Sequence, residues 1–262
     1  MIKRIVLFIF KKLFYMVGYE FIIFNKNRNS IVTINKNKWI PFALNNQKME
    51  LYFEGLKHSE NEQADGILKQ LRFYNLQQLV HHVLQKKVEG DFVECGVWKG
   101  HSAYLISKII SKSKFNRRFH IFDSFEGGLS KKVENDISSI FPQTEDGNKK
   151  QSIPFRSTEI QVQRCLKDYD FISLYKGWIP SRFSEVENCV FSFIHIDVDL
   201  YEPTLDSLNF FFHRLAKGGV IVCDDYGSSH FPGAKKAFDE FLKNKEYHMF
   251  YEVPMGACFL IK

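Results

Sequence analysis

No uncharged run in this 262-residue chain approaches the ~18–20 residues that a bilayer-spanning helix needs. No small-residue cleavage site follows the first apolar run, so a secretory leader is not expected. No CxxC pair occurs. The five cysteines, Cys95, Cys165, Cys189, Cys223 and Cys258, are odd in number and widely spaced, mostly in apolar runs. They read as reduced thiols of a cytosolic protein, neither disulfides nor zinc ligands. Basic residues are nowhere concentrated beyond short Lys pairs. A net charge of +6 spread in this way argues against a dedicated nucleic-acid surface and suits an enzyme meeting anionic small molecules. GxGxxG is missing, as is any internal repeat, which lowers the odds of a dinucleotide site or a solenoid.

What the chain does carry is acid at strand ends. Phe193-Ile194-His195-Ile196 reads as a strand, and Asp197 and Asp199 follow it two residues apart, on the same side of an extended backbone. Gly219 to Cys223 repeats the device and runs into Asp224-Asp225-Tyr226-Gly227. Either run alone suits a solvated turn. Two such runs on neighbouring strands gather three or four carboxylates at one rim, where a hard cation such as Mg, Mn or Ca would neutralise them.

Taken in order, residues 1–60 read as an extension and 61–262 as the main domain. In the first 24 residues Lys3, Arg4, Lys11 and Lys12 fall mostly in one half of a helical wheel beside apolar runs. Two readings stand level: a helix lying peripherally on the inner face of an anionic membrane, or an arm packed on a second copy in a homo-oligomer. Asn25 to Lys38 reads as a linker in which Ile31, Val32 and Ile34 could form a short strand, and Trp39 to Phe53 as irregular. Leucine and valine spacing predicts a helix within Asn61–Lys87, stopped by Gly90. Strands are expected at Phe92–Gly96, Arg118–Phe122, Phe171–Tyr175, Phe191–Ile196 and Val220–Cys223. Helices alternate with them at His101–Ile110, Ser157–Tyr169, Leu205–Leu215 and Gly233–Leu242, with a short one around Phe183 and Val186. This alternation predicts an α/β fold, a mostly parallel seven-stranded sheet with helices on both faces. Tyr247–Val253 and Ala257–Ile261 complete it as an antiparallel hairpin at one edge. The long polar stretch from Gly127 to Phe155 is a candidate lid.

Ligands of such sheets sit beyond the carboxyl ends of the strands. The first strand delivers Glu94, whose charge suits an ammonium, and Gly96 and Gly100, which let backbone and ligand approach. Asp123 ends the second strand where such folds place the acid that takes ribose hydroxyls. Trp98 and Trp178 follow strand ends and either line this pocket or pack. An ammonium at one end and a ribose at the other describe S-adenosyl-L-methionine.

The segments Glu94-Cys95-Gly96-Val97-Trp98-Lys99-Gly100, Phe122 to Gly127, Lys176-Gly177-Trp178, His195 to Thr204 and Gly218 to Gly227 together resemble the macrocin O-methyltransferase family. Pro232-Gly233, Ala237 and Asp239-Glu240-Phe241 extend the likeness over about residues 70–262. The resemblance implies a Rossmann-like class I methyltransferase fold and Mg2+-dependent methylation of a sugar hydroxyl by S-adenosyl-L-methionine. It makes Asp197, Asp224 and Asp225 the metal ligands. It places cofactor contacts among Glu94, Gly96, Trp98, Gly100, Ser102, Asp123, Ser124, Gly177 and Trp178. Val198 stands where the family often has glycine, which alters the pocket wall without removing a ligand. Asp197, His195 and His230 are the candidate bases. The expected acceptor is a small molecule or glycan: a glycosylated metabolite, a nucleotide sugar or a surface-polysaccharide precursor. The alternatives are a catechol-type phenol as acceptor, or a non-catalytic nucleoside-binding scaffold.

Overall fold

The computed structural model describes residues 23–25, 30–32, 46–61, 64–138, 145–254 and 256–262. Residues 1–50 and 51–262 form two compact units. In the smaller, β1 (Ile23–Asn25) pairs antiparallel with β2 (Ser30–Val32), which puts Ile31 and Val32 in a strand within the stretch read as a linker. The basic segment at residues 1–22 lies outside the described residues. Helix α1 (Asn46–His58) replaces the irregular stretch expected up to Phe53. Its buried Tyr52 and Leu56 are four residues apart on one face.

In the larger unit, α2 (Ile67–Gln85) precedes β3 (Asp91–Cys95) and α3 (His101–Ser111). Then come β4 (Phe119–Asp123), α4 (Glu145–Ser152), α5 (Glu159–Cys165) and β5 (Ile172–Lys176). β6 (Phe191–Ile196), α6 (Tyr201–Phe212), β7 (Leu215–Cys223), α7 (Pro232–Leu242), β8 (Met249–Glu252) and β9 (Cys258–Ile261) follow. The seven strands lie in the order β5-β4-β3-β6-β7-β9-β8. β5 through β7 run parallel, β9 runs antiparallel to β7, and β8 forms the outer edge.

Alternation within each strand builds two cores from one sheet. Phe92, Phe119, Ile121, Phe193, Val220 and Val222 face one side and pack with Val80, Val83, Leu105 and Ile106 of α2 and α3. Val93, Cys95, Phe122, Ile194, Ile196, Ile221 and Cys223 face the other, against Leu208, Phe211, Phe238 and Phe241 of α6 and α7. Each wholly buried side chain of this size stabilises by roughly 1.5–3 kcal/mol. The chain leaves β3 toward β4 and β5, then returns to place β6 on β3's other side. That reversal opens a crevice at the carboxyl ends of β3 and β6.

Helix α6 begins at Tyr201, four residues before its expected start. Pro203 is tolerated because the first turn of a helix has no intrahelical acceptor for its N–H groups. The residue before the helix, Leu200, cannot cap it. Asp136, 65 residues earlier in the chain, does so instead: its Oδ1 accepts from the Tyr201 N–H at 2.7 Å. A Cβ on Gly233 would stand 1.8 Å from that oxygen, so α7 can approach the capping carboxylate only with glycine there.

Candidate active site

The crevice opens into a cleft whose empty space, including the solvent at its mouth, is about 720 Å³. That lies within the usual range for small-molecule sites. Gly96, Trp98, Asp123, Ser124 and Trp178 line it, with Phe122, Leu129, Ser130, Phe155, Asp197, Val198 and Asp199. Gly96 is held at φ +81°, and a Cβ there would stand 1.9 Å from the Asp197 carbonyl oxygen. The turn after β3 and the acid-bearing turn after β6 can therefore touch only through glycine.

Among the expected cofactor contacts, Gly100, Ser102, Glu94 and Gly177 are not part of the cleft wall. Gly100, also left-handed, backs onto Cys165 and starts α3, in which Ser102 is buried. Gly177 packs on Ser181, while its neighbours Trp178 and Ile179 reach the cleft. Asp123 lines the cleft, yet its carboxylate already accepts three backbone N–H groups. Oδ2 takes those of Val97 and Trp98 at 2.8 and 3.2 Å, and Oδ1 that of Phe125 at 2.9 Å. It thereby fixes the Trp98 turn, which has φ +45°.

Glu94 is wholly buried in β3, directly opposite His195 of β6. Its Oε1 lies 2.7 Å from His195 Nδ1, and its Oε2 has no protein partner. A buried carboxylate oxygen left in that state fits a donor from a ligand, as an ammonium would supply. Burial opposes charge on His195, but Glu94, followed by Asp197 and Asp224, outweighs it and holds the imidazole pKa up at about 9. At neutral pH His195 is thus an imidazolium paired with Glu94. A group that already holds its proton is poorly suited to act as a base. His230 is exposed and does not line the cleft.

The acids do gather. Burial and then repulsion from Asp224 push Asp197 up to about 6. Asp199 is raised well above the carboxylate range by burial and then by Asp197 and Asp224, and Asp225 by burial and then by Asp199. The Asp199 N–H donates to Asp225 Oδ2 at 3.1 Å, and Asp199 takes up φ +63°. Two cations from α2 meet this group, and neither was singled out in the sequence. Arg72 Nη1 lies 3.0 Å from Asp224 Oδ2. Lys69 sits over the Trp98 ring at 5.7 Å. Burial, reinforced by Arg72, lowers its pKa to about 8 despite Asp197, Asp65 and Asp224. Three residues apart, Lys69 and Arg72 share one helix face; their spacing was legible, their target was not.

Asp197, Asp224 and Asp225 do not close a ligand shell in this arrangement. Among the described residues, the one set of three His, Cys, Asp or Glu donors within 4.8 Å of one another is Asp91, His120 and Cys189, elsewhere in the sheet. The donor chemistry still fits a hard dication. Four carboxylates, Asp197, Asp199, Asp224 and Asp225, are matched by only two cations, Arg72 and Lys69. Oxygen donors carrying surplus negative charge suit Mg2+.

A model of the macrocin O-methyltransferase family matches residues 32–252, most of the chain. The demethyldecarbamoylnovobiocin O-methyltransferase of Streptomyces niveus is 28% identical over 65% of this chain and 64% of its own length. A tetracenomycin-C 4'-O-methyltransferase of Streptomyces olivaceus, named for an 8-demethyl-8-(2,3-dimethoxy-alpha-L-rhamnosyl) compound, is 30% identical over 59% of this chain and 60% of its own. The chain thus spans somewhat under two thirds of these two relatives. The mycinamicin III 3''-O-methyltransferase of Micromonospora griseorubida is 26% identical over 68% of this chain and 70% of its own. Among solved structures, the O-methyltransferase NovP superposes with a TM-score of 0.58 at 24% identity, covering 73% of this chain and 79% of its own. The calicheamicin methyltransferase CalS11 gives 0.58 at 20%, covering 82% and 93%. These two likenesses establish the fold.

Proposed function

The chain belongs to the macrocin O-methyltransferase family, and from that premise we propose that it transfers a methyl group from S-adenosyl-L-methionine to a sugar hydroxyl, with Mg2+ at the acid cluster. The observation that carries the reading is the meeting of two features in one crevice. A cleft lined by Gly96, Trp98 and Asp123 opens directly beside carboxylates whose pKa values burial and repulsion from neighbouring acids push upward. Two of the relatives bear names that place the methyl on a sugar or at a sugar-numbered oxygen. The sugar hydroxyl of a glycosylated metabolite is therefore the acceptor class we favour.

In this reading Glu94, through its unpaired oxygen, takes the ammonium of the cofactor, and Trp98 and Trp178 flank its flat end. Mg2+ held by Asp197, Asp224 and Asp225 would lower the pKa of the attacking hydroxyl. Asp197 lines the cleft, within reach of an acceptor held there, and would take the proton of that hydroxyl. His195, already charged, supports the ionised form of Asp197 from the adjoining strand position. Leu129, Ser130 and Phe155, near the two ends of the Gly127–Phe155 stretch, line the cleft wall, where they would exclude water once the acceptor is bound.

The test is incubation with S-adenosyl-L-methionine, Mg2+ and a panel of deoxysugar glycosides, followed by mass spectrometry. Gain of one methyl on a sugar with release of S-adenosylhomocysteine supports the reading. Cofactor binding without turnover on glycosides or catechols would favour a scaffold instead. Membrane contact and self-association through residues 1–24 are also proposals. Flotation with anionic vesicles separates the first from the second, which analytical sedimentation reads. Among the described residues no helix is long and apolar enough to cross a membrane.

A further inference from the structure

Asp91, His120 and Cys189 come from three separate segments: the first residue of β3, the second of β4, and the turn two residues before β6. They converge at the amino ends of these strands, whereas the cleft lies at the carboxyl ends. The five-residue length of β3 separates the two by roughly 13 Å at ~3.3 Å per residue. One donor atom from each residue lies within 4.8 Å of the other two. We propose that this cluster is a second, independent metal site, built for zinc or a similar borderline transition ion.

Three features carry the proposal. The first is spacing. Asp91 Oδ2 and His120 Nε2 stand 3.4 Å apart, long for a charge-assisted hydrogen bond. Two ligands at the usual zinc distances, held at the tetrahedral angle, stand about 3.4 Å apart. The second is orientation. The other ring nitrogen of His120, Nδ1, lies 2.9 Å from the Tyr175 hydroxyl, and the other oxygen of Asp91 accepts the Arg118 N–H at 3.0 Å. Asp91 and His120 are thus each held by an outer atom while the inner atom faces the cluster, the arrangement that supports metal-bound imidazole and carboxylate. The third is donor type. Imidazole, thiolate and carboxylate together suit zinc far better than Mg2+.

His120 is buried and Asp91 and Cys189 are half-buried, so an ion has a route in and a fourth position to which water can bind. Three protein ligands with one open position leave the site less than a closed structural centre. Its effect is to tie together β3, β4 and the entry to β6, the three strands that carry Glu94, Asp123 and Asp197 at their far ends. All five cysteines are free, and Cys189 is half-buried where the other four are buried.

Cobalt reports the site, because only a thiolate ligand gives a near-ultraviolet sulfur-to-cobalt charge-transfer band. Metal-free full-length protein titrated with Co2+ is expected to develop that band to one equivalent, and Zn2+ to displace it. Cys189→Ser should abolish the band, and His120→Gln should weaken Co2+ binding at least about tenfold. Asp197→Asn, at the other end of the sheet, should leave the band unchanged. Zn2+ should raise the melting temperature of the wild type and not of Cys189→Ser. Absence of the band, or its survival in Cys189→Ser, overturns the proposal. Its loss in Asp197→Asn would also do so, by assigning the metal to the cleft. None of these readouts depends on methyl transfer, so the proposal can fail while the proposed activity stands.

Discussion

The two ends of the same strands treat the same side chain in opposite ways. At the amino end, burial would raise the carboxyl pKa of Asp91, but His120 and the Arg118 N–H outweigh it and leave it lowered. At the carboxyl end, Asp197, Asp199 and Asp225 are raised, because burial and like charge outweigh Arg72. A lowered acid adds to stability above its unfolded pKa. A raised one subtracts from it as pH climbs past that value. The carboxyl end therefore holds a strain that the fold does not need, and such strain marks a site.

The largest effect should come from Asp197→Asn. Methyl transfer is expected to fall about 10²–10⁴-fold, the usual worth of a positioned base. At pH 7 without metal the same variant should unfold at higher denaturant, by about 1–2 kcal/mol, since a raised carboxylate has been neutralised. Activity and stability moving in opposite directions would sharpen the contrast, and a loss of both would break it.

Next comes Glu94→Gln. It leaves His195, wholly enclosed, without its counter-charge. Removing one partner of a buried pair costs about 3–5 kcal/mol, to be read by denaturant unfolding. Cofactor affinity, read by calorimetry, should fall with it if Glu94 takes the ammonium.

Gly233→Ala follows in size. Its Cβ would stand 1.8 Å from Asp136 Oδ1 and 2.8 Å from the Tyr201 nitrogen, so α7 must shift or the cap must break. A loss of about 1–3 kcal/mol is expected. The control Asp136→Ala, which loses both the cap and the bond from the Val133 N–H, should lose about 1–2 kcal/mol.

His101 supplies a pH test away from both ends. Burial, then Lys69, depresses its pKa to about 3, although the Tyr52 carbonyl 2.9 Å from Nε2 acts the other way. Its unfolded value is about 6.5. The unfolded chain thus binds a proton that the folded one refuses. The contribution is intact above pH 6.5 and drains away as pH falls toward 3, reaching about 2 kcal/mol by pH 5. His101→Gln should flatten that slope. The smallest effect expected is from Arg72→Gln: freed of its 3.0 Å partner, Asp224 should bind Mg2+ several-fold more tightly.

Much of this was legible in the sequence because it depends on local pattern. The apolar strands ending in acid, the glycine that must follow Cys95, and the terminal hairpin all follow from period and turn chemistry. Helix α1 was harder to see, since Leu51, Tyr52 and Phe53 are consecutive apolar residues without helical spacing and Gly55 separates them from Leu56, and α4 carries no apolar residue at all. Other features depend on tertiary placement. Asp136 caps a helix 65 residues away, and Arg72 reaches an acid on β7's end from α2. Asp123 looked like a ribose acid by position, and only the structure shows three backbone donors already on it. Cys189 looked inert because its companions are remote in the chain.

The most direct test is a Mn2+ titration followed by electron paramagnetic resonance, with Mn2+ standing in for Mg2+. Wild type should show one site, strengthened by S-adenosylhomocysteine. That site should be lost in Asp197→Asn and in Asp225→Asn, both still folded. Equal Mn2+ affinity and stoichiometry in all three proteins would contradict the account.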